Sequence, residues 1–96
     1  MAYDLTPLTD AELQQFLKSH PGWTYEGRCL VKTYEFASFT EAIRFVGRVA
    51  EVAEKHDHHP DIDIRYRRVK LSLTTHDAQG LTFRDPLVAG EVEKVR

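Results

Sequence analysis

Cysteine is nearly missing from this 96-residue sequence, which holds only Cys29. Neither an internal disulfide nor a thiolate metal cluster can therefore form. Within Arg28-Cys29-Leu30-Val31 the thiol reads as a small buried hydrophobe. A cationic surplus is also lacking: 13 Lys and Arg face 15 Asp and Glu, for a net charge of -2 and a pI near 6.2. Binding to a phosphate backbone needs the opposite balance, so no direct nucleic-acid ligand is expected. No apolar run approaches the roughly 20 residues that span a bilayer. Met1-Ala2-Tyr3-Asp4-Leu5 lacks the basic and apolar regions of a signal peptide, so no membrane partner and a cytoplasmic location are expected. Repeats, low-complexity tracts and Gly/Ser linkers are absent, and the length lies far below the roughly 250 residues at which chains divide. Residues 1–96 read as a single domain.

What is present is enough apolar content for a core, 42% hydrophobic with 29% charged. Thr9-Asp10-Ala11-Glu12 matches a capping box, followed by Leu13, Phe16 and Leu17 at helical spacing, so a short helix should end before His20-Pro21-Gly22. Trp23 and Tyr25, a turn at Glu26-Gly27 and the β-prone run from Arg28 to Phe36 predict a hairpin. Ser38-Phe39-Thr40-Glu41 is a second capping box. Behind it Phe39, Ala42, Ile43, Val46, Val49, Ala50 and Ala53 mark the apolar face of a long helix, with Phe45 and Val52 off that stripe. Pro60 should stop this helix near His56.

Ile62, Ile64 and Tyr66, then Val69, Leu71 and Leu73, alternate with polar residues as in strands covered on one face, with Arg67-Arg68 as their turn. A last helix carries Leu87, Val88, Val92 and Val95. It starts either with Thr82 as cap and Asp85 at the third position, or with Asp85 as cap and Pro86 first. The order helix, hairpin, long helix, hairpin, helix predicts an α+β fold, a four-stranded antiparallel sheet with helices packed on one face.

Histidine is the local excess: four of five, His56, His58, His59 and His76, lie within residues 56–76. The second hairpin should bring His58 or His59 beside His76, which ends the fourth strand, with Asp85 arriving from the next helix. His56 fits the dipole at the end of the long helix and is assigned no chemistry. His58, His59 and His76 could bind a metal as a tri-histidine set. Adjacent histidines at such a junction tend to diverge, however, and no H-E-x-x-H helix or Cys partner is present, so no metal is expected. Cys29 in an apolar strand and the lack of a G-x-S-x-G elbow argue against nucleophilic catalysis.

Ala53-Glu54-Lys55-His56-Asp57-His58-His59-Pro60, Leu73 through Thr82, and Arg84-Asp85 closely resemble the pterin-4a-carbinolamine dehydratases, with Gly22-Trp23, Glu26-Gly27-Arg28 and Phe39 in the same order. The resemblance implies dehydration of 4a-hydroxytetrahydropterin to quinonoid dihydropterin, in support of aromatic amino acid hydroxylases, without metal or bound cofactor. It implies His58, His59 and His76 as active-site histidines, with Asp85 and Asp57 supporting. Trp23, Pro60 and Thr75 would hold the pterin. Ile62, Arg67 and Pro86 depart from the family pattern, the first where Trp is common. Two imidazoles around one small ligand should separate in acidity, one serving as acid and one as base. His58 and His76 are read as the proton-transfer pair, His59 as positioning the pterin and Asp85 as orienting a histidine, with acid and base left open. The family also implies a homodimer or homotetramer, and some vertebrate relatives act as dimerisation cofactors of a homeodomain transcription factor. An interaction module is therefore the rival reading.

Overall fold

The computed structural model describes residues 4–96, so Met1 to Tyr3, on which the reading of the amino terminus partly rests, lie outside it. Helix α1 (Asp10–Ser19) opens on the expected capping box: Glu12 N–H donates to Thr9 Oγ1, and Thr9 N–H donates to the Glu12 carboxylate. Strands β1 (Thr24–Glu26) and β2 (Cys29–Glu35) form the first hairpin. Its turn is Gly27-Arg28, one residue later than expected, and both residues have positive φ (55° and 65°), the twist that a two-residue hairpin loop requires.

Helix α2 (Phe39–His56) follows, capped by Ser38 Oγ accepting from Glu41 N–H, then strands β3 (Asp61–Arg65) and β4 (Arg68–Leu73) and helix α3 (Arg84–Val95). Arg65 pairs with Arg68, so the second turn is Tyr66-Arg67 rather than Arg67-Arg68, with Tyr66 left-handed. The sheet is antiparallel throughout in the order β1-β2-β4-β3. The two hairpins therefore join through their second strands.

Leu30 and Tyr34 of β2 and Val69, Leu71 and Leu73 of β4 meet buried side chains from all three helices, confirming the α+β layer arrangement. Three expectations of burial fail, the first only in part. The face of α2 that enters the core carries the expected Ala42, Val49 and Ala53, with Val46 packed against it, but it is turned to include Phe45 and Val52, while Phe39, Ile43 and Ala50 stay exposed. Both stripes satisfy helical periodicity, because the helix is apolar over more than one face. The sheet selects the face bearing Phe45. Cys29 is only half-buried, because it starts a strand at a turn, and its thiol donates to the Gly27 carbonyl. Edge strand β3 is exposed along its length, against the expectation that Ile62, Ile64 and Tyr66 are covered on one face, since its partner β4 takes the cover of the helices.

Glu93 of α3 reaches the sheet and gathers three donors: Lys32 Nζ at 2.6 Å, the Tyr34 hydroxyl at 2.7 Å and Trp23 Nε1 at 3.2 Å. Burial alone would raise the pKa of Glu93, yet Lys32 and Tyr34 outweigh it and hold the carboxyl below its ordinary range. Burial, then donation to Glu93, pushes the Tyr34 hydroxyl far above its own. Trp23 is thus a core residue, 4% exposed and in edge contact with Phe16 and Tyr34.

Candidate active site

Helix α2 ends at a left-handed residue, Asp57 (φ 49°), whose N–H donates to the Glu54 carbonyl while His58 N–H donates to the Ala53 carbonyl. This hydrogen-bonded reversal satisfies carbonyls that a helix terminus otherwise leaves open. Arg84 Nη1 also donates to the carbonyls of His56 and Asp57, so a cation of α3 takes up the dipole role expected of His56. The Nε2 of His56 is itself sealed from solvent without a hydrogen-bond partner.

The reversal sends the adjacent imidazoles apart. His58 turns inward, 7% exposed, and its Nε2 lies 2.7 Å from Asp85 Oδ1. His59 turns outward and pairs with the Glu54 carboxylate at the surface. Asp85 is fully buried in the first turn of α3, and its Oδ2 accepts from Thr75 Oγ1 and Thr82 N–H, each at 2.9 Å. Neither expected start of α3 forms: the helix begins at Arg84 with Phe83 at the cap position and no side-chain cap, because the Asp85 carboxylate reaches back to Thr82 N–H from inside the first turn, where the missing N–H of Pro86 costs nothing. Thr75 Oγ1 and Thr82 Oγ1 are 2.8 Å apart, and Arg84 N–H donates to Thr82 Oγ1.

His76 lies beyond the end of β4, at the head of a 3-10 turn (His76–Ala78), rather than ending the strand. Thr75 N–H donates to the Gly80 carbonyl and left-handed Gln79 reverses the chain, so His76 is held exposed at the lip of the sheet.

A cavity of about 310 Å³ opens there, lined by Asp57, His58, His59, Thr74, Thr75, His76 and Asp77. The structure brings five of the eight expected site residues onto this one wall: the three histidines, Asp57 and Thr75. Asp85 stands behind His58. Pro60 is next to His59 but does not line the cavity. Trp23 does not line it either, because its indole is committed to the core and to Glu93. Thr75 does line it, but its hydroxyl serves Asp85. Thr74 and Asp77 were missed from sequence, although they flank the residues that were named. Thr82 was read only as a helix cap. Among the described residues no group of three or more His, Cys, Asp or Glu is arranged to hold a metal ion. None of the described helices is long and apolar enough to cross a membrane.

The arrangement offers one buried imidazole backed by a carboxylate and two exposed imidazoles around an open, polar hollow. That is equipment for moving protons on a small polar ligand.

Residues 6–95 match the family model described as pterin 4 alpha carbinolamine dehydratase. A protein of Thermomicrobium roseum named "Putative pterin-4-alpha-carbinolamine dehydratase" is 51% identical over 88 residues, covering 92% of this chain and 95% of its own. One of the same name from Roseiflexus sp. is 50% identical over 90 residues, covering 94% and 97%. Among solved structures, a transcriptional coactivator/pterin dehydratase from Brucella melitensis superposes with a TM-score of 0.88 at 30% identity, over 94% of this chain and 98% of that one. A pterin dehydratase-like protein identified as a RuBisCO assembly factor in the alpha-carboxysome shares the fold, with a TM-score of 0.67 at 22% identity over 79% of this chain and 90% of its own. With a family match spanning nearly the whole sequence and relatives at half identity, the chain belongs to the pterin 4 alpha carbinolamine dehydratase family.

Proposed function

We propose that this protein dehydrates 4a-hydroxytetrahydropterin to quinonoid dihydropterin and water, as a metal-free acid–base catalyst in the cytoplasm. The observation that carries the reading is the His58–Asp85 pair at the wall of a cavity that also presents His59 and His76. In the reaction the C4a–O bond breaks as a general acid protonates the departing oxygen. The lone pair of the neighbouring ring nitrogen forms the new C=N bond, and that nitrogen gives its proton to a base. Imidazoles serve both tasks near neutral pH.

The test is to mix the protein with chemically generated carbinolamine and follow dehydration by ultraviolet absorbance above the spontaneous rate. Activity that survives EDTA and falls by about 100-fold or more in kcat in His58→Ala or His76→Ala supports the reading. Activity lost with EDTA and restored by stoichiometric zinc replaces it with the tri-histidine metal reading.

Self-association is the second part of the proposal. Phe39, Ile43 and Ala50 leave an apolar stripe on α2 uncovered, and β3 leaves an unpaired sheet edge, both suited to a second copy of the chain. Light scattering should report a dimer or tetramer at micromolar concentration. An 11 kDa species would reject it.

A further inference from the structure

We infer that the Thr82–Thr75 hydroxyl pair acts as a positioning relay that keeps Asp85 a pure acceptor, so that His58 carries its proton on Nε2 and works through Nδ1 as the proton-accepting atom. The inference rests on the dehydratase reading for its chemistry, but its structural part stands on hydrogen counting and on imidazole being a stronger base than carboxylate.

Four contacts form a chain: Arg84 N–H to Thr82 Oγ1, Thr82 Oγ1 with Thr75 Oγ1, Thr75 Oγ1 with Asp85 Oδ2, and Asp85 Oδ1 with His58 Nε2. Thr82 and Asp85 are fully buried and Thr75 nearly so, which leaves no role for bulk water as a spare partner. Each hydroxyl has one hydrogen to give.

Two directions are conceivable. In the first, Thr82 donates to Thr75, Thr75 donates to an ionised Asp85, and every hydrogen finds an acceptor. In the second, a protonated Asp85 donates to Thr75 and Thr75 donates to Thr82. The hydroxyl hydrogen of Thr82 is then stranded in a fully buried site, and Oδ2 must give a proton while accepting Thr82 N–H. The second direction leaves a buried donor unsatisfied and the first leaves none, so the first is the one adopted.

The proton shared between Asp85 Oδ1 and His58 Nε2, 2.7 Å apart, belongs on the imidazole, the stronger base of the two, so Asp85 accepts and the hydrogen is on Nε2. The other ring nitrogen makes no hydrogen bond among the described residues, and it is not among the sealed side-chain atoms that lack a partner. Nδ1 is thus the lone pair that His58 brings to the cavity it lines. When it takes the proton from the ring nitrogen of the carbinolamine, the imidazolium formed is already paired with Asp85, and the hydroxyl leaves as water with a proton from a separate acid. His58 returns its proton to solvent after the product departs.

The test is nuclear magnetic resonance of protein labelled with 15N-histidine, which distinguishes the two neutral tautomers by the shifts of the ring nitrogens. Wild-type His58 should show Nε2 protonated and Nδ1 bare. Adding 7,8-dihydropterin should move the Nδ1 resonance more than that of Nε2. Thr75→Val should reduce the Nε2–H tautomer and lower kcat about 5- to 10-fold with KM unchanged, Thr82→Val should act in the same direction, and Thr75→Ser should restore both readouts. A wild-type His58 protonated on Nδ1, a Nδ1 resonance indifferent to the dihydropterin, or a Thr75→Val variant with unaltered tautomer would each overturn the proposal. If Thr75→Val fails to fold, the wild-type tautomer still decides. A protein with the expected tautomer but no dehydration of the carbinolamine would refute the function and leave the relay standing.

Discussion

Replacing Glu93 by alanine should be among the most damaging substitutions outside the candidate site. Glu93 sits on α3 at 24% side-chain exposure and holds Lys32, itself 13% exposed, together with the Tyr34 hydroxyl and the Trp23 indole N–H. Truncation leaves the buried Tyr34 hydroxyl without an acceptor, which costs about 1 to 3 kcal/mol. Losing the Lys32 pair costs about 2 kcal/mol, between the values for exposed and buried pairs. The long Trp23 contact adds less than about 1 kcal/mol. These losses overlap, so roughly 3 to 5 kcal/mol is expected, a large share of the 5 to 15 kcal/mol that holds a domain of this size together. In melting temperature that is on the order of 15 to 30 °C. Urea unfolding followed by circular dichroism and by fluorescence of Trp23 measures it. Glu91→Ala is the control, because among the described residues Glu91 makes only a loose pair with Lys94 at 3.7 Å and should change stability by less than about 0.5 kcal/mol. If Glu93→Ala and Glu91→Ala proved alike, the Glu93 cluster would have no part in stability and the account of why α3 docks on β2 would be wrong.

Other outcomes follow from the same structure. Phe45→Ala should cost about 3 to 5 kcal/mol and Phe39→Ala less than about 1.5, measured at concentrations too low for association; equal costs would mean that α2 docks by the other stripe. In alkaline unfolding curves, Tyr34 should contribute stability that is complete below the ordinary tyrosine range and lost as pH rises toward its elevated folded value, a slope that Tyr34→Phe removes. In acid the sign reverses for Glu93: its contribution is present above the ordinary carboxyl range and lost as pH falls through its depressed folded value. Gly22→Ala should destabilise by more than about 1 kcal/mol in thermal melts, because φ is +97° and the added Cβ would lie 2.9 Å from Lys32 Cε, on the side chain that Glu93 holds.

Much of the fold was legible because local chemistry and global arrangement agree. Thr9 and Glu12, Ser38, and the alternation of Val69, Leu71 and Leu73 each point to the element that forms. The turn of the buried face of α2 toward Phe45 and Val52 has a physical source: periodicity locates apolar positions but not the neighbour that covers them, and this helix is apolar over more than one face. For Trp23 the resemblance implied a binding role, whereas the contact that holds its indole is with Glu93, 70 residues away. Nothing local in the sequence marks Glu93 as the centre of a buried cluster. The approach of His76 to the His58-His59 pair was readable from hairpin geometry, and the full set of three came from the family resemblance. The division between an inward His58 and an outward His59 was not, since it depends on one residue's backbone angles.

That residue is Asp57, and its left-handed turn gives the segment from Ala53 to Pro60 a phase. Which imidazole points inward is set by how many residues separate the last helical carbonyl from the start of β3, not by the chemistry of the two rings, which is identical. Substitutions at Asp57 that tolerate the left-handed region, glycine or asparagine, preserve the count. A single-residue insertion or deletion changes it, and would present His59 or Asp57 to Asp85 where His58 now stands. The junction is therefore open to exchange of residues but closed to change of length.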